Sequence, residues 1–379
     1  MSRKATWTSK RGRILQPMPD DMQLATAPDS VKILRGSFEG SGISIAHVGR
    51  NEHSRYLVPY LRTLIDDPTL ENFSLSTKGV GPDAGELCPR QADIFFRDAE
   101  VHGYGAGFMD DAPSFLMPFR VHFVSDVRNG LESLARDMSR DKRKKHRQRV
   151  RKYGYTYTVS TDEAEFLDFY DRMYAPTMEH RPGDSARSVA RPEALKLFRE
   201  GMLVLVRKGG IIQSGIACQI VRDRSLINAR LLGVPGGDAA YFADGATTTA
   251  YHFLLEWAAG EQYSWVDFQG CEPFLRKGTF QAKSRLGAAL SHASGELASK
   301  QLKVTVVRDS PSVRAFLAGN PVVLVDEDGN LGVGYFWDGD HPPQRDVPAA
   351  KNGVHFTREI NLDIFLARAA ASGEIHGVE

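Results

Sequence analysis

Three strand-like segments separated by two tight turns constrain the fold of this chain most strongly. They are apolar, or alternate between apolar and polar residues, at 202–207, 211–221 and 225–232. Strands joined by such short turns pair as antiparallel neighbours, so these segments predict a meander. A helical pattern of apolar residues precedes the meander around Phe166, and another follows it from Gly245 to Ala259. With a further strand at Trp265–Gln269, this succession predicts an α/β (α+β) fold whose mixed sheet is flanked by helices.

The composition is that of an ordinary globular chain with more than one domain. Of the 379 residues, 42% are hydrophobic and 25% are charged, which excludes a disordered, collagen-like or coiled-coil chain. At about 150 residues per domain, this length predicts two or three units. The 48 basic residues nearly balance the 47 acidic ones, so no net field draws the whole chain toward nucleic acid or a membrane.

The cysteines and the apolar runs indicate in which cellular compartment the protein is expected. Cys88, Cys218 and Cys271 lie far apart and form no CxxC motif, which favours free thiols in a reducing cytoplasm over disulfides or a zinc site. Apolar runs such as Met202–Val206 are far too short to span a bilayer. We therefore expect a cytoplasmic protein without a membrane partner.

Shifts in pattern divide the chain into four parts. Residues 1–30 are a polar, basic tail, and residues 31–135 are a first α/β unit of short strands and a helix. Residues 136–300 contain the meander. Residues 301–379 form a C-terminal extension with further strands and a final helix at about Glu359–Ala371.

A strongly basic segment lies between the first two units. No helix-breaking residue interrupts Glu132–Lys152, so one long helix is predicted there, and Gly154 ends it. The part from Ser139 to Lys152 carries nine Lys or Arg residues and one acid. The sequence leaves three roles open for these cations: they are solvated, or they pair with acids elsewhere in the protein, or the segment Arg140–Lys152 binds a polyanion such as tRNA.

Common catalytic motifs are absent from the sequence. It has no GxSxG elbow, HExxH motif, Walker phosphate loop or GxGxxG fingerprint. The eleven histidines include no pair at metal-ligand spacing. We therefore expect no metal, and the hydrolase, metalloprotease and dinucleotide oxidoreductase classes lose their main support.

An anion site is predicted where the meander ends. The glycine-rich loop Gly233–Asp244 leads into a helix, and the N–H groups at a helix N-terminus bind anions. The residues assigned to donor binding at this site are Gly236, Gly237, Gly245, Thr247 and Thr248. The alternative is an ordinary turn in which the threonines only cap the helix.

The span Met138–Ala289 resembles the FemAB-like branch of the GNAT N-acyltransferase superfamily. Three segments carry the resemblance in the order that the family has them, and they are Thr177–Gly183, Val266–Gly270 and Phe280–Gly287. The resemblance implies tandem GNAT-like units, degenerate in the N-terminal half and intact in the C-terminal half, followed by a small C-terminal α/β extension.

Two departures from the family pattern concern the acyl donor and the lysine element. The CoA-binding signature Q/R-x-x-G-x-G/A begins at Arg230–Gly233 but ends on Pro235. In the second element, Gln281–Ala282 separates Phe280 from Lys283, which the family more often has adjacent. The first departure leaves the choice between a CoA thioester and another donor open.

Acyl transfer to an amine needs an activated acyl group, a route for the amine proton and stabilisation of an oxyanion. Asp267, at the end of a strand beside the predicted anion site, is the candidate to accept the proton or hold the amine. Its alternative role is a solvated or helix-capping aspartate. His180, in a loop after a helix, is a second candidate base. The resemblance implies that Lys283 stabilises the donor or the developing negative charge, and its alternative role is a surface lysine.

Three further residues are assigned to substrate binding. The resemblance implies that Arg181 clamps a carboxylate or phosphate of the acceptor. Gln269 lies on the same strand face as Asp267, and Arg276 can attract phosphate groups. Cys271 has no recognisable His partner and is not assigned as a nucleophile.

The sequence therefore predicts an N-acyltransferase that uses acetyl-CoA or another acyl-CoA thioester. A small amine attacks the acyl group directly. One alternative is a transferase that forms a peptide bond from aminoacyl-tRNA. The other is a protein with the same fold that binds a polyanion without catalysis.

Overall fold

The computed structural model describes residues 30–74, 92–100, 112–180 and 188–372. Its strands, numbered β1 to β16 in chain order, are Ser30–Phe38, Ser41–Gly49, Asp66–Ser74, Ile94–Asp98, Ser114–Pro118, Val121–Asp126, Tyr155–Ser160, Gly201–Lys208, Ile211–Val221, Leu226–Gly233, Trp265–Asp267, Ala289–His292, Gln301–Val306, Val322–Val325, Leu331–Trp337 and Phe356–Asn361. The helices of this part of the chain, α1 to α11, are Asn51–Arg62, Gly130–Asp137, Arg140–Tyr153, Glu163–Phe169, Ala175–Glu179, Arg191–Arg199, Ala239–Ala243, Ala246–Gly260, Gly278–Ser284, Pro311–Gly319 and Leu362–Ser372. A π-helix, Tyr170–Tyr174, joins α4 to α5.

The first sheet has six strands in the order β3-β1-β2-β4-β13-β5. Strands β2 and β4 are parallel, and the other neighbours in this sheet are antiparallel. Helices α1 and α10 cover one face, where they bury Leu57, Leu61 and Phe316. Since β13 comes from beyond residue 300, the C-terminal part of the chain completes the sheet of the first unit.

The second sheet has seven strands in the order β12-β6-β11-β10-β9-β8-β7. Strands β8, β9 and β10 form the predicted antiparallel meander, and β10 is parallel to β11. This confirms the predicted mixed sheet flanked by helices. Strand β6 precedes residue 135 and still pairs with β11 and β12. Strand β6 thus belongs to the second sheet although it precedes residue 136, and β13 belongs to the first sheet although it follows residue 300. The division of the chain into units at 135/136 and 300/301 stays a prediction.

The two faces of the second sheet are covered by different helices. Phe123 and Val266 pack with Leu254 of α8 on one face. On the other face, Phe169 and Phe198 of α4 and α6 pack in the cluster that includes residues of β8 and β9. Where this second face continues onto β6 and β11 it carries polar side chains, and the candidate site lies there.

The segment predicted as one helix at Glu132–Lys152 forms two helices, α2 and α3. Met138 and Ser139, between them, have extended backbone with ψ values of 144° and 130°. Met138 is buried and packs against Gly287. Burial of this apolar side chain explains why the chain turns here although no helix-breaking residue is present.

The third sheet contains β14, β15 and β16, with β15 antiparallel to β14 and parallel to β16. The final helix begins at Leu362 rather than at Glu359, because Phe356–Asn361 pairs with β15. In the described part of the chain, no helix combines the length and the apolar character needed to cross a membrane.

Candidate functional site

The central strands β10 and β11 diverge and open a cleft in the second sheet. Their parallel pairing ends at Asn228 and Asp267, whereas β10 continues to Gly233. A β-bulge leaves Arg230 without a partner on β9, and a bulge of this kind bends the strand that carries it. Beyond the bulge, no described strand pairs with the β10 edge that faces β11.

Asp267 lies at the closed end of this cleft and is almost fully buried. Its Oδ2 atom is 2.8 Å from Nδ1 of His122 on β6, and its Oδ1 accepts a hydrogen bond of 2.6 Å from the Gln269 N–H. A carboxylate only accepts, so Nδ1 carries the proton and Nε2 of a neutral His122 ring keeps its lone pair. No partner for Nε2 is found in the described part of the chain.

His122 is a site residue that the sequence analysis missed. It precedes Asp267 by 145 residues, and the antiparallel pairing of β6 with β11 brings the two together. The signal was local: in β6, the apolar Val121 and Phe123 flank His122, so strand alternation puts the histidine on the face opposite the apolar core. Its partner could not be found from sequence spacing.

Lys283 reaches the same end of the cleft from α9. Phe280 anchors this helix, because its fully buried ring packs edge-on against Phe123 with centroids 5.0 Å apart. The Lys283 Nζ atom donates to the carbonyl oxygens of Gln269 at 2.9 Å and Gly270 at 3.2 Å. Burial lowers the pKa of this lysine, although the nearby Asp267 opposes the shift. An ammonium group has three N–H donors, so one remains for another acceptor.

Gln269 and Arg230 join the two diverging strands. Gln269 has a φ of 63°, a left-handed conformation that is uncommon for this residue type. Its Oε1 atom accepts a 2.7 Å hydrogen bond from Arg230 Nη1. Asn228, directly beside Asp267 in the parallel pairing, has a buried Oδ1 atom without a hydrogen-bond partner among the described residues.

The glycine-rich loop lies against α5. Gly236 and Gly237 have φ values of 58° and 70°, and a Cβ atom on Gly237 would come within 2.6 Å of the Pro176 carbonyl oxygen. His180 is exposed beside Gly237, and its Nδ1 donates to the same Pro176 carbonyl at 2.8 Å. No contact between His180 and Asp267 is found in the described structure.

The N-terminus of α8 has no side-chain cap. Its N-cap residue is Gly245, with a φ of 77°. The first N–H groups of a helix have no acceptor inside it, so those of Thr247 and Thr248 remain for a ligand or water. The guanidinium of Arg149 on α3 packs on Gly245, where a Cβ atom would lie 2.5 Å from Nη1. A helix N-terminus and a guanidinium both favour an anion, and here they lie side by side.

The basic helix α3 carries a dense group of cations. All nine of its Lys and Arg residues lie within Arg140–Tyr153, and none of them forms an ion pair with another described residue. Arg285, Lys145 and Arg149 lie close enough to contribute to a lowered pKa of Lys142, after the larger effect of burial. This surface is therefore positively charged beside the N-terminus of α8.

The remaining predicted residues do not join the cleft cluster. Arg276 is exposed and donates to Gln344 Oε1 at 2.6 Å, and Arg181 lies outside the described residues. Cys271 is buried, and burial raises its pKa to about 11, so it is a thiol at neutral pH.

Two other features of the described structure lie apart from this cluster. A surface cavity of about 310 Å³ between α4 and the start of β9 is lined by none of the predicted site residues.

In the first unit, His53, Asp98 and Glu100 have ligand atoms within 4.8 Å of one another. Burial alone would raise the pKa of Asp98, but hydrogen bonds from His47 and His53 outweigh it and lower that pKa. Lys300 pairs with Glu100 in this network.

Comparisons with known proteins were made for the whole chain. No protein-family model and no curated protein matches it. Among solved structures, FemX aligns with 72% of this chain and 83% of its own at 12% identity and a TM-score of 0.37. L-PGS from Bacillus licheniformis aligns with 75% of this chain and 86% of its own at 12% identity and a TM-score of 0.34. A tandem GNAT protein from the clavulanic acid biosynthesis pathway aligns over 75% and 86% at 10% identity and a TM-score of 0.28.

Proposed function

We propose that this protein is an N-acyltransferase in which an amine attacks an activated acyl group in the cleft between β10 and β11. The observation that carries the proposal is the divergence of these strands, with Asp267 and Lys283 at its closed end. An extended acyl chain can lie along the unpaired edge of β10. Its reactive carbonyl then reaches the polar cluster.

The phosphate groups of the donor bind at the N-terminus of α8. The uncapped N–H groups of Thr247 and Thr248 and the guanidinium of Arg149 supply donors there. Gly245 allows this close approach because it has no side chain. Gly236 and Gly237 shape the preceding loop, in a backbone conformation that favours glycine.

Lys283 stabilises the negative charge that develops on the acyl oxygen. Two of its N–H groups are used on backbone carbonyls, which fixes the direction of the third. A charge-assisted hydrogen bond in a partly buried site is stronger than one in water. Direct attack fits the described cysteines, since Cys218 and Cys271 are buried and burial raises the pKa of both thiols.

The first candidate donor is an acyl-CoA thioester such as acetyl-CoA, with a small amine as acceptor. Aminoacyl-tRNA is the second candidate, favoured by the cations of α3, which form no ion pair with another described residue. The two donors differ in how many phosphates they offer to that helix. Binding of tRNA therefore depends much more on salt and on the whole helix than binding of acetyl-CoA does.

Calorimetric titration with acetyl-CoA and with tRNA, together with transfer of labelled acetyl groups to a panel of amines, tests the proposal. Arg149→Ala should weaken donor binding, whereas Arg147→Ala, an exposed arginine on the same helix, should leave acetyl-CoA binding unchanged. Lys283→Ala should lower kcat about 10²–10³-fold, as expected for loss of an oxyanion donor. Lys303→Ala in the first sheet is the matched control.

Each outcome separates the candidates. Acetyl transfer that depends on Arg149 and Lys283 supports the CoA thioester. Binding of tRNA that falls steeply with salt, without acetyl-CoA binding, supports the second donor. If neither donor binds and no amine is acylated, the proposed function is wrong.

A further inference from the structure

We infer that His122 is the general base of this site, that Asp267 positions its ring, and that Asn228 accepts an N–H of the attacking amine. This inference rests on the proposed acyl transfer. It moves the base from Asp267 and His180, the residues predicted from the sequence, to a histidine on a neighbouring strand.

The His122 ring is held from both sides. Asp267 fixes Nδ1 at 2.8 Å and is itself fixed by the Gln269 N–H at 2.6 Å. On the other side the ring lies against Gly270, where a Cβ atom would come within 2.8 Å of Cδ2. A buried carboxylate that binds one nitrogen of an imidazole fixes the tautomer and leaves the second nitrogen to accept a proton.

One anionic and two cationic side chains lie around His122, and the anionic one is in direct contact with the ring. Asp267 contacts it from β11, Lys283 approaches Asp267 from α9, and Arg120 precedes it by two residues, just before β6 begins. Arg120 is itself paired with the buried Glu272 at 3.0 Å. The carboxylate in direct contact with the ring thus stabilises the imidazolium that forms when the proton is taken.

Asn228 supplies an acceptor that the protein leaves unused. Its buried Oδ1 atom has no partner in the described part of the chain. Since Asn228 and Asp267 are direct neighbours in the parallel pairing, their side chains point to the same face of the sheet. A buried acceptor without a hydrogen bond is costly, and the N–H of a bound amine would satisfy it.

With a thioester donor, the proposed step replaces a C–S bond by a C–N bond. The amine lone pair forms the new C–N bond, and the C–S bond breaks with its electron pair on sulfur. The amine proton passes to Nε2 of His122 and from there to the thiolate. Asp267 remains ionised throughout, and Asn228 orients the second N–H of the amine.

Steady-state kinetics of three variants test this assignment. His122→Ala should lower kcat about 10²–10⁴-fold while acetyl-CoA still binds, and added imidazole should restore part of the rate. Asp267→Asn should lower kcat without imidazole rescue and change the acid side of the pH–rate profile. Asn228→Ala should raise KM for the amine about 2- to 10-fold, as for one lost hydrogen bond, with KM for the donor unchanged.

The controls are His355→Gln, an exposed histidine of the C-terminal part, and Ser125→Ala, on the opposite face of β6. Both should keep the wild-type rate, and circular dichroism checks that every variant is folded. If the wild type is active and His122→Ala keeps the same rate and pH profile, this inference is wrong and the proposed function still stands. If His122→Ala does not fold, His122→Gln gives the same comparison. A wild-type protein that transfers no acyl group overturns the proposed function and this inference with it.

Discussion

Gly270→Ala tests the position of His122 without removing a polar group. Gly270 has an ordinary backbone conformation, so an added methyl group acts only through its contacts. That methyl carbon would lie 2.8 Å from Cδ2 and 3.0 Å from Nε2 of the His122 ring, and 3.0 Å from the Val121 carbonyl oxygen. The backbone oxygen is held by the Cys271 N–H at 2.9 Å, so the histidine ring must move.

The size of the movement follows from these distances. Carbon atoms in good contact are about 3.5 Å apart, so Cδ2 must shift by about 0.7 Å. If Asp267 does not follow, the 2.8 Å distance from His122 Nδ1 to Asp267 grows to about 3.5 Å, beyond an ordinary hydrogen bond. Asp267 is held by Gln269 and resists such a shift. Overpacking of this kind costs about 1–3 kcal/mol of stability.

Misplacing a catalytic group by about 1 Å costs roughly 100-fold in rate, so Gly270→Ala should lower kcat about 10- to 100-fold. The assay is acetyl transfer to the best amine, with urea denaturation on the same samples. Gly278→Ala is the matched control, because its methyl group would meet no atom within 4 Å and it begins α9 in an allowed conformation. Wild-type turnover in Gly270→Ala, or an equal loss in Gly278→Ala, would refute the reasoning.

Two further predictions concern stability. Glu272→Gln leaves Arg120 and Lys277 without their shared buried carboxylate and should cost about 3–5 kcal/mol in urea denaturation, whereas the exposed Glu256→Gln should cost little. Burial, with added repulsion from His146 and Arg149, lowers the pKa of His252 to about 3. The unfolded chain therefore binds this proton first as the pH falls below about 6.5, and the free energy of unfolding should drop between pH 6.5 and 4. His252→Gln should make that drop shallower; an unchanged slope would contradict the assigned cause.

Local patterns predicted much of the second sheet. The meander at 202–232 followed from strand-length apolar segments and two turns, because pairing of strands joined by tight turns needs no distant information. The helix predicted from Gly245 to Ala259 is observed as α8, Ala246–Gly260. The predicted helix over Glu132–Lys152 failed at Met138, because burial against Gly287 depends on a residue far along the chain.

Some residues of the candidate site could likewise be predicted from sequence, and others could not. Asp267, Gln269 and Lys283 could be selected from sequence, since the first two lie in the segment predicted as a strand at Trp265–Gln269 and the third lies in the segment that resembles a known family. The structure brings these three together. It leaves Arg276 on the surface and His180 beside the glycine loop, and neither contacts Asp267 in the described structure.

The amino-acid sequence by itself determined the element types of the second sheet, the excess of cations on α3 and the glycine that precedes α8. These properties depend on residues within a few positions of one another. Only the tertiary structure decided that His122 meets Asp267 and that Arg149 lies against Gly245. Each of these contacts joins elements about a hundred residues or more apart, and their pairing is set by sheet register and helix packing, which no local pattern encodes.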